Sequence, residues 1–159
     1  MEGAASDQVI ELLEHARGRY ERLVLLVGQS GSGKSEVLQE VIGKTGARYI
    51  NVNLELSERL LELTARQMAL RGAEILREIV NEGNSDIVVL DNIELLFEAS
   101  LELDSLTCLQ KISRNRTIVA SWNGTFEGGY LVYAEPGHPE YKKSQVKDLL
   151  VVAVGVTHG

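Results

Sequence analysis

Short apolar runs alternate with helical patterns along most of the chain. Five successive apolar residues at 23–27 predict a strand buried on both faces, as in a parallel sheet. The segments ARYINVN, DIVVLD and RTIVASWN and residues 149–154 predict further strands. Helical periodicity marks residues 7–18, 34–42, 54–81 (as two helices) and the segment LELDSLTCLQKIS. The alternation predicts an α/β fold of three layers around a mainly parallel, five-stranded sheet.

One segment after the fourth predicted strand interrupts this alternation. It reads NGTFEGGYLVYAEPGHPEYKK and contains two glycine turn signals, an alternating YLVYA stretch and both prolines, Pro136 and Pro139. The pattern predicts a hairpin insertion followed by a rigid loop. No repeat or interdomain linker interrupts the sequence, so we expect residues 1–159 to form a single domain.

The segment GQSGSGKS matches the P-loop (Walker A) pattern GxxxxGK[ST] between a predicted strand and a predicted helix. Gly28, Gly31 and Gly33 are expected to adopt backbone angles barred to residues with a Cβ, so that loop N–H groups surround a phosphate chain. In such a loop Lys34 reaches the β- and γ-phosphates of ATP and Ser35 places its hydroxyl on Mg²⁺. The predicted nucleotide-binding residues are Gly28, Gln29, Ser30, Gly31, Ser32, Gly33, Lys34 and Ser35. We therefore predict the core of a P-loop NTPase.

The third predicted strand ends in Asp91 and continues into Asn92. A carboxylate here holds Mg²⁺ together with Ser35, and capping of a following helix is the alternative role. Many ATP-hydrolysing proteins have a glutamate general base where this chain has Asn92, and an amide cannot accept a proton. Glu94 could replace that base if the chain turns into a helix at Asn92; otherwise it is a solvated helix residue. Weak hydrolysis by the isolated chain is the expected result.

Polar and basic residues at the two ends of the fourth predicted strand are further candidates. Asn123, with Ser121 as second choice, lies where P-loop ATPases with an extra strand sense the γ-phosphate; a turn at Asn-Gly is the alternative. Arg114 and Arg116 precede the strand and could stabilise phosphoryl charge, in trans from another subunit. Their alternative is a pair of solvated charges at a helix C-terminus.

These motifs resemble those of the AAA+ and wider additional-strand ATPases. Over residues 20–141, the stretches YERLVLLVGQSGSGKS, YINVNLELSERLLELT, VVLDNIELLF, SRNRTIVASW and YLVYAEPGHPEY resemble the BrxF family, small P-loop proteins of type III BREX phage-defence systems. The resemblance implies a cytoplasmic protein that acts with other BREX components. We expect no helical lid domain of the kind usual in AAA+ proteins, because the residues after the proline loop suffice for a strand and little else. Tyr20 or Arg22 could partly shield the base instead, or both could be surface residues at the entry to the first strand.

Composition narrows the function classes. The net charge of −7 argues against a generally basic nucleic-acid binder, although residues 111–147 carry six basic and three acidic side chains. The single cysteine, Cys108, fits a reducing cytoplasm and reads as a buried hydrophobe, and Trp122 as a packing residue. No apolar run suggests a signal peptide or a membrane span. His138 and Glu140 have no third ligand nearby, which makes them a weak metal site.

The sequence therefore predicts a protein that binds Mg-ATP as a switch or assembly ligand, in a homo-oligomer or with BREX partners. A small-molecule or nucleotide kinase is the first alternative, but it would need an arginine-rich lid, whereas the arginines are spread along helices: Arg59, Arg66, Arg71 and Arg77. The second alternative is a DNA-associated adaptor ATPase that touches the DNA backbone through the hairpin or the face formed by residues 111–147, with Lys142 and Lys143 as the residues whose substitution tests it.

Overall fold

The computed structural model describes residues 4–29, 31–98, 101, 103–133, 142–146 and 148–155. In chain order the regular elements are α1 Ala4–Ala16, β1 Leu23–Gly28, α2 Lys34–Thr45, β2 Arg48–Asn51, α3 Val52–Leu60, α4 Ala65–Asn81, β3 Ile87–Asp91, a 3₁₀ turn Glu94–Phe97, α5 Ser105–Ile112, β4 Thr117–Glu127, β5 Tyr130–Tyr133, β6 Lys142–Gln145 and β7 Leu150–Ala153.

Five of the strands form a parallel sheet in the order β2-β3-β4-β1-β7. The register sets Gly28 opposite Asn123 in the β1–β4 pair and Asn51 opposite Asp91 in the β2–β3 pair. Strand β4 thus lies between the strand that leads into the phosphate loop and the strand that ends in Asp91. Because parallel strands end at the same edge, the candidate residues meet there. The predicted α/β fold with a mainly parallel sheet is confirmed.

The sheet is buried on both faces, which explains its aliphatic strands. All of β1 is buried, and its residues alternate between two clusters: Leu25 packs towards α3, α4 and α5, whereas Leu26 packs towards α1 and α2. A strand with an apolar neighbour on each side needs apolar residues at every position. The three layers are therefore two helices, the sheet and three helices.

Helix caps explain two boundaries that the sequence pattern misplaced or left open. The predicted second strand ran through Val52, but the side chain of Asn51 accepts a hydrogen bond from the N–H of Leu54 and starts α3 at Val52. The long helical pattern is split because Thr64 and Gln67 form a reciprocal capping box at the start of α4. Local side-chain bonds thus decide where strand becomes helix.

Strand β4 is longer than predicted. It continues through Asn123 and Gly124 to Glu127, and the chain reverses at Gly128 and Gly129, whose φ angles are 58° and 81°. The expectation that the chain leaves the sheet at Asn123 is wrong, and so is the alternative of a turn there. The hairpin is therefore an extension of the fourth strand itself. β5 pairs with it antiparallel, and β6, which was not predicted, pairs with β5.

An aromatic cluster fixes the hairpin to the 3₁₀ turn. The rings of Phe97 and Tyr133 stack with centroids 3.5 Å apart, and Trp122 meets Phe97 edge-on at 5.1 Å. The indole N–H of Trp122 also donates to the carbonyl of Val132 at 3.1 Å. The packing role expected of Trp122 is confirmed, and Cys108 is buried as expected.

Every regular element that the structure describes after α5 is a strand. The predictions for Ser30, Pro136, Pro139, His138 and Glu140 lie outside the described residues. Within the described part of the chain, no helix has both the length and the apolar character needed to span a membrane.

Candidate nucleotide-binding site

The loop between β1 and α2 has the backbone expected of a phosphate loop at two of its three glycines. Gly31 and Gly33 have φ angles of 80° and 96°, which residues with a Cβ rarely adopt. Gly28 does not share this conformation, so the reason given for it was wrong. A Cβ on Gly28 would instead lie 2.5 Å from the hydroxyl of Ser32 and 2.9 Å from the carbonyl of Val154. Gly28 is needed for close packing.

The same loop leaves donors available to an anion. α2 begins at Lys34 with Gly33 as its N-cap, and no side chain caps the first N–H groups of the helix. The hydroxyl of Ser32 is buried and has no hydrogen-bond partner among the described residues. Ser32 is enclosed partly by Gly155 after β7, since a Cβ on Gly155 would lie 2.6 Å from that of Ser32. Uncapped N–H groups and a buried free hydroxyl fit a bound phosphate chain.

Lys34 is folded back onto the loop that carries it. Its ammonium donates to the carbonyls of Gly28 and Gln29, both at 2.9 Å, and the residue is only 8% exposed. Burial lowers the pKa of Lys34, while the carboxylates of Asp91 and Glu94 act in the opposite direction. The two carboxylates thus offset part of the cost of burying the ammonium.

Asp91 ends β3 and is 6% exposed, yet both its oxygens accept hydrogen bonds. Oδ1 accepts from the hydroxyl of Ser121 and from the N–H of Asn92, both at 3.0 Å. Oδ2 accepts from Tyr49 at 3.0 Å and from Ser35 at 3.4 Å. A buried carboxylate beside a serine hydroxyl is the hard-oxygen set that suits Mg²⁺, so Ser35 and Asp91 would hold that ion.

Tyr49 was missed by sequence reasoning. It lies on the edge strand β2, and its partner Asp91 is two residues further along the paired strand. Burial, followed by the charge and the hydrogen bond of Asp91, raises the pKa of Tyr49 to about 12. The available signal was that Tyr49 lies two residues before the β2 residue that pairs with Asp91. It could be used only if the register of β2 and β3 was already known.

Asn92 has a φ angle of 52°, in the left-handed region that asparagine tolerates better than glutamate. Its carbonyl accepts from the N–H of Asn53, and the side chain of Asn53 accepts from the N–H of Leu95 at 2.8 Å. These bonds turn the chain so that Glu94 points into the site instead of standing free on a helix. The amide of Asn123 donates to Glu94 at 3.2 Å.

The candidate residues at the carboxyl edge of the sheet surround one cavity of about 320 Å³. Its lining is largely polar and contains Gly31, Gly33, Lys34, Ser35, Glu36, Asp91, Asn92, Glu94, Ser121 and Asn123. Residues that are distant in sequence therefore meet as the motifs predict, and Glu94 joins them. The volume is at the lower end of the range for ligand pockets.

The predicted arginines lie at the opposite end of the sheet. Arg114 and Arg116 precede β4, whose first residues pair with the start of β1, roughly 20 Å from the phosphate loop by strand rise. Arg114 pairs with Glu21 at 3.0 Å and lies over the ring of Tyr20. Arg116 donates to three carbonyls around the end of α4, those of Asn81, Gly83 and Ser85. Neither joins the cavity of its own chain.

Tyr20 and Arg22 share this end of the sheet, since both precede β1. The N–H of Arg22 donates to the carbonyl of Ser113, and its guanidinium to the carbonyl of Arg114. The interpretation that one of them shields the base is therefore wrong. They belong to the amino-end surface around Arg114.

Two solved structures are similar to this fold at low sequence identity. The structure of C. elegans PCH-2 is 18% identical with a TM-score of 0.44, covering 77% of this chain and 38% of that one. AMPPCP-bound DnaA from Aquifex aeolicus is 20% identical with a TM-score of 0.43, covering 91% and 43%. This chain thus spans less than half the length of either. No curated protein sequence matches it.

The family comparison covers most of the region that builds the site. Residues 24–117 match the family described as "ATPase family associated with various cellular activities (AAA)". The match begins in β1, includes the phosphate loop and the Asp91 strand, and ends at the first residue of β4. More than half of the chain is therefore accounted for by one family. The chain belongs to the AAA family of ATPases and has the P-loop nucleotide-binding core of that family.

Proposed function

We propose that this chain binds Mg-ATP as a switch or assembly ligand in a bacterial BREX phage-defence system, with slow or partner-dependent hydrolysis. The observation that carries the nucleotide part is the convergence of Lys34, Ser35, Asp91, Glu94 and Asn123 on one cavity. The BREX assignment is supported by the sequence resemblance over residues 20–141. The setting implied by that resemblance is the cytoplasm, with residues 1–159 acting as one nucleotide-binding domain.

The residues that bind the nucleotide have separate tasks in this proposal. Lys34 exchanges its two loop carbonyls for phosphate oxygens, which offer an ammonium stronger, charge-assisted bonds. The uncapped N–H groups at the start of α2 hold the same phosphates. Ser35 and Asp91 hold Mg²⁺, which supplies charge neutralisation at the phosphates when bound. Binding needs only these groups.

Hydrolysis depends on a different pair. Glu94 accepts a proton from water as the water oxygen bonds to the γ-phosphorus and the bond from that phosphorus to the ADP oxygen breaks. The amide of Asn123 keeps the Glu94 carboxylate in place. Glu94 lies on the 3₁₀ turn, three residues beyond Asp91, whereas the usual position of the base is occupied by Asn92, whose amide cannot accept a proton. Slow turnover by the isolated chain follows from this arrangement.

A partner subunit would supply the missing positive charge. Arg114 is partly exposed and bound by a single carboxylate, whereas Arg116 is held by three carbonyls. Arg114 can therefore exchange Glu21 for a phosphate of a neighbour, and Arg116 is the weaker candidate. In a head-to-tail contact, the end of the sheet that carries Arg114 in one chain would meet the carboxyl edge of the sheet in the next chain. This contact would bring Arg114 to the neighbour's phosphate site.

The ion pairs of two arginines on the helices favour the proposed function over the kinase alternative, which would need an arginine-rich lid. Arg59 pairs with Glu82 at 3.0 Å, and Arg77 lies 3.7 Å from Glu74 on α4. On the hairpin, Lys143 lies over the ring of Tyr130. The proposed partners are other BREX components and, through the assembly, DNA.

The test combines native mass measurement with phosphate release, in the absence of nucleotide, with ADP and with ATP–Mg²⁺. We expect ATP–Mg²⁺ to shift the chain to a larger assembly, and Lys34→Ala to abolish both nucleotide binding and that shift. Lys44→Ala is the matched control, because Lys44 is an exposed lysine at the far end of α2 that pairs with Asp7. Unchanged ATP affinity in Lys34→Ala would overturn the proposal.

A further inference from the structure

Tyr49 and Ser35 bind the same oxygen of Asp91. The phenol hydroxyl donates to Oδ2 at 3.0 Å, and the Ser35 hydroxyl lies 3.4 Å from that oxygen. The other oxygen, Oδ1, is occupied by Ser121 and by the N–H of Asn92. Both oxygens of the carboxylate are thus hydrogen-bonded, and Tyr49 binds the oxygen that faces Ser35 of the phosphate loop.

The register of β2 and β3 explains why a tyrosine can do this. Tyr49 pairs with Val89, and Asp91 lies two residues further along β3. Two strand residues span about 6.6 Å, which is comparable to the reach of a tyrosine from Cα to its hydroxyl. A phenylalanine at position 49 would have the same ring but no donor. The hydroxyl is therefore the part that acts on Asp91.

Packing alone gives Tyr49 little reason to be aromatic. The residue is 41% exposed on the edge strand, whereas its neighbour Ile50 is buried in the core. The polar end of Tyr49 is the end that is directed into the site, against a carboxylate that is 6% exposed. A half-exposed ring with its hydroxyl on a buried acid acts as a brace for that acid.

We propose that Tyr49 is a positioning residue for the metal site, and that its hydroxyl keeps Asp91 Oδ2 directed at Ser35. The inference rests on the proposed Mg-ATP function and extends it to a residue outside the nucleotide motifs. Hydrogen-bond partners that orient a metal-binding carboxylate typically change metal affinity by about 10- to 100-fold when removed. The loss of the Tyr49 hydroxyl therefore weakens the metal-dependent part of ATP binding, and leaves the metal-free part unchanged.

The experiment measures ATP affinity by calorimetry in EDTA and along a Mg²⁺ titration. For Tyr49→Phe we expect roughly tenfold more Mg²⁺ at half-maximal enhancement of ATP binding, with the affinity in EDTA unchanged. Tyr130→Phe is the matched control, since it removes a phenol hydroxyl from the exposed hairpin. A Mg²⁺ requirement that is unchanged or lower in Tyr49→Phe would overturn the proposal.

A second variant separates the hydroxyl from the ring. Tyr49→Leu removes both, so it should show the same Mg²⁺ requirement as Tyr49→Phe. A defect in Tyr49→Leu combined with a normal Tyr49→Phe would assign the effect to packing and overturn the proposal. Wild-type protein that binds no ATP in either condition would overturn the proposed function as well, whereas normal Mg-ATP binding by wild type and Tyr49→Phe alike would overturn only the role of Tyr49.

Discussion

The amide of Asn123 donates a hydrogen bond to the carboxylate of Glu94 over 3.2 Å. The bond joins β4 to the 3₁₀ turn after β3 and closes the far side of the cavity that contains Lys34. A carboxylate is thereby present near the phosphate loop even though Asn92 occupies the usual position of the base. The contact fixes the direction of a carboxylate that the sequence left open between the site and the solvent.

We predict that Glu94→Gln lowers hydrolysis without preventing nucleotide binding. A glutamine keeps the hydrogen bond to Asn123 but cannot take a proton, so single-turnover phosphate release should slow by about 10²–10⁴-fold. Protein in excess over labelled ATP makes a slow reaction measurable. Glu36→Gln is the control, because Glu36 lines the same cavity from α2. Equal rates for Glu94→Gln and wild type would show that another group accepts the proton.

Replacement of Asn92 should reveal a backbone requirement. The φ angle of Asn92 is 52°. The free energy of unfolding in urea should therefore be nearly that of wild type for Asn92→Gly, and lower by about 1 kcal/mol for Asn92→Ala and for Asn92→Glu. The glutamate variant tests whether the usual base fits this turn. If it were as stable as the glycine variant, the left-handed conformation would not explain why an asparagine is suitable here.

Gly124 should be the least replaceable glycine of the hairpin. A Cβ there would collide with the carbonyl oxygen of Val132 on the paired strand. Gly124→Ala should therefore lower the free energy of unfolding by about 1–3 kcal/mol and weaken the hairpin. Gly18→Ala is the control, since nothing lies within 4 Å of a Cβ at that position, and we expect a change within about 0.5 kcal/mol. Equal stability of the two variants would contradict the collision.

Cys108 should make stability fall at alkaline pH. Burial raises the pKa of Cys108 to about 11 from 9.0, with Asp104 adding to the shift and Lys111 opposing it. Between these values the unfolded chain releases a proton that the folded chain keeps, so the contribution is full below about pH 9 and is lost as pH rises towards 11. Urea unfolding of wild type and Cys108→Ala at pH 8 and 10 measures it. Parallel losses in both proteins would contradict the prediction.

The parallel sheet could be predicted because burial on both faces leaves uninterrupted aliphatic runs such as that of β1. The hairpin could be predicted only in part. Asn123 and Gly124 read locally as a turn, but the bond from Trp122 to Val132 and the close approach at Gly124 keep β4 extended. Strand β6 could not be predicted because its sequence, KKSQ, has no alternating apolar residues. It is a polar edge strand that forms by pairing with β5.

The residues of the site also fall into those that could be predicted from the sequence and those that could not. Lys34, Ser35 and Asp91 could be assigned because a local motif and a strand end fix their positions. Tyr49 and Gly155 could not, since each acts through a contact set by strand register or by packing against Ser32. The direction of Glu94 was undecided because it depends on the φ angle of Asn92.

The stack of Phe97 on Tyr133 connects the hairpin to the 3₁₀ turn that carries Glu94. Phe97 ends the same 3₁₀ turn that Glu94 begins, and Tyr133 ends β5 of the hairpin. The hairpin therefore cannot tilt away from the sheet unless the stack breaks or the turn moves with it. Strand β4 adds a second rigid connection, because it carries Asn123 and the hairpin on one continuous backbone. A displacement of the hairpin would therefore be transmitted to the 3₁₀ turn that carries Glu94.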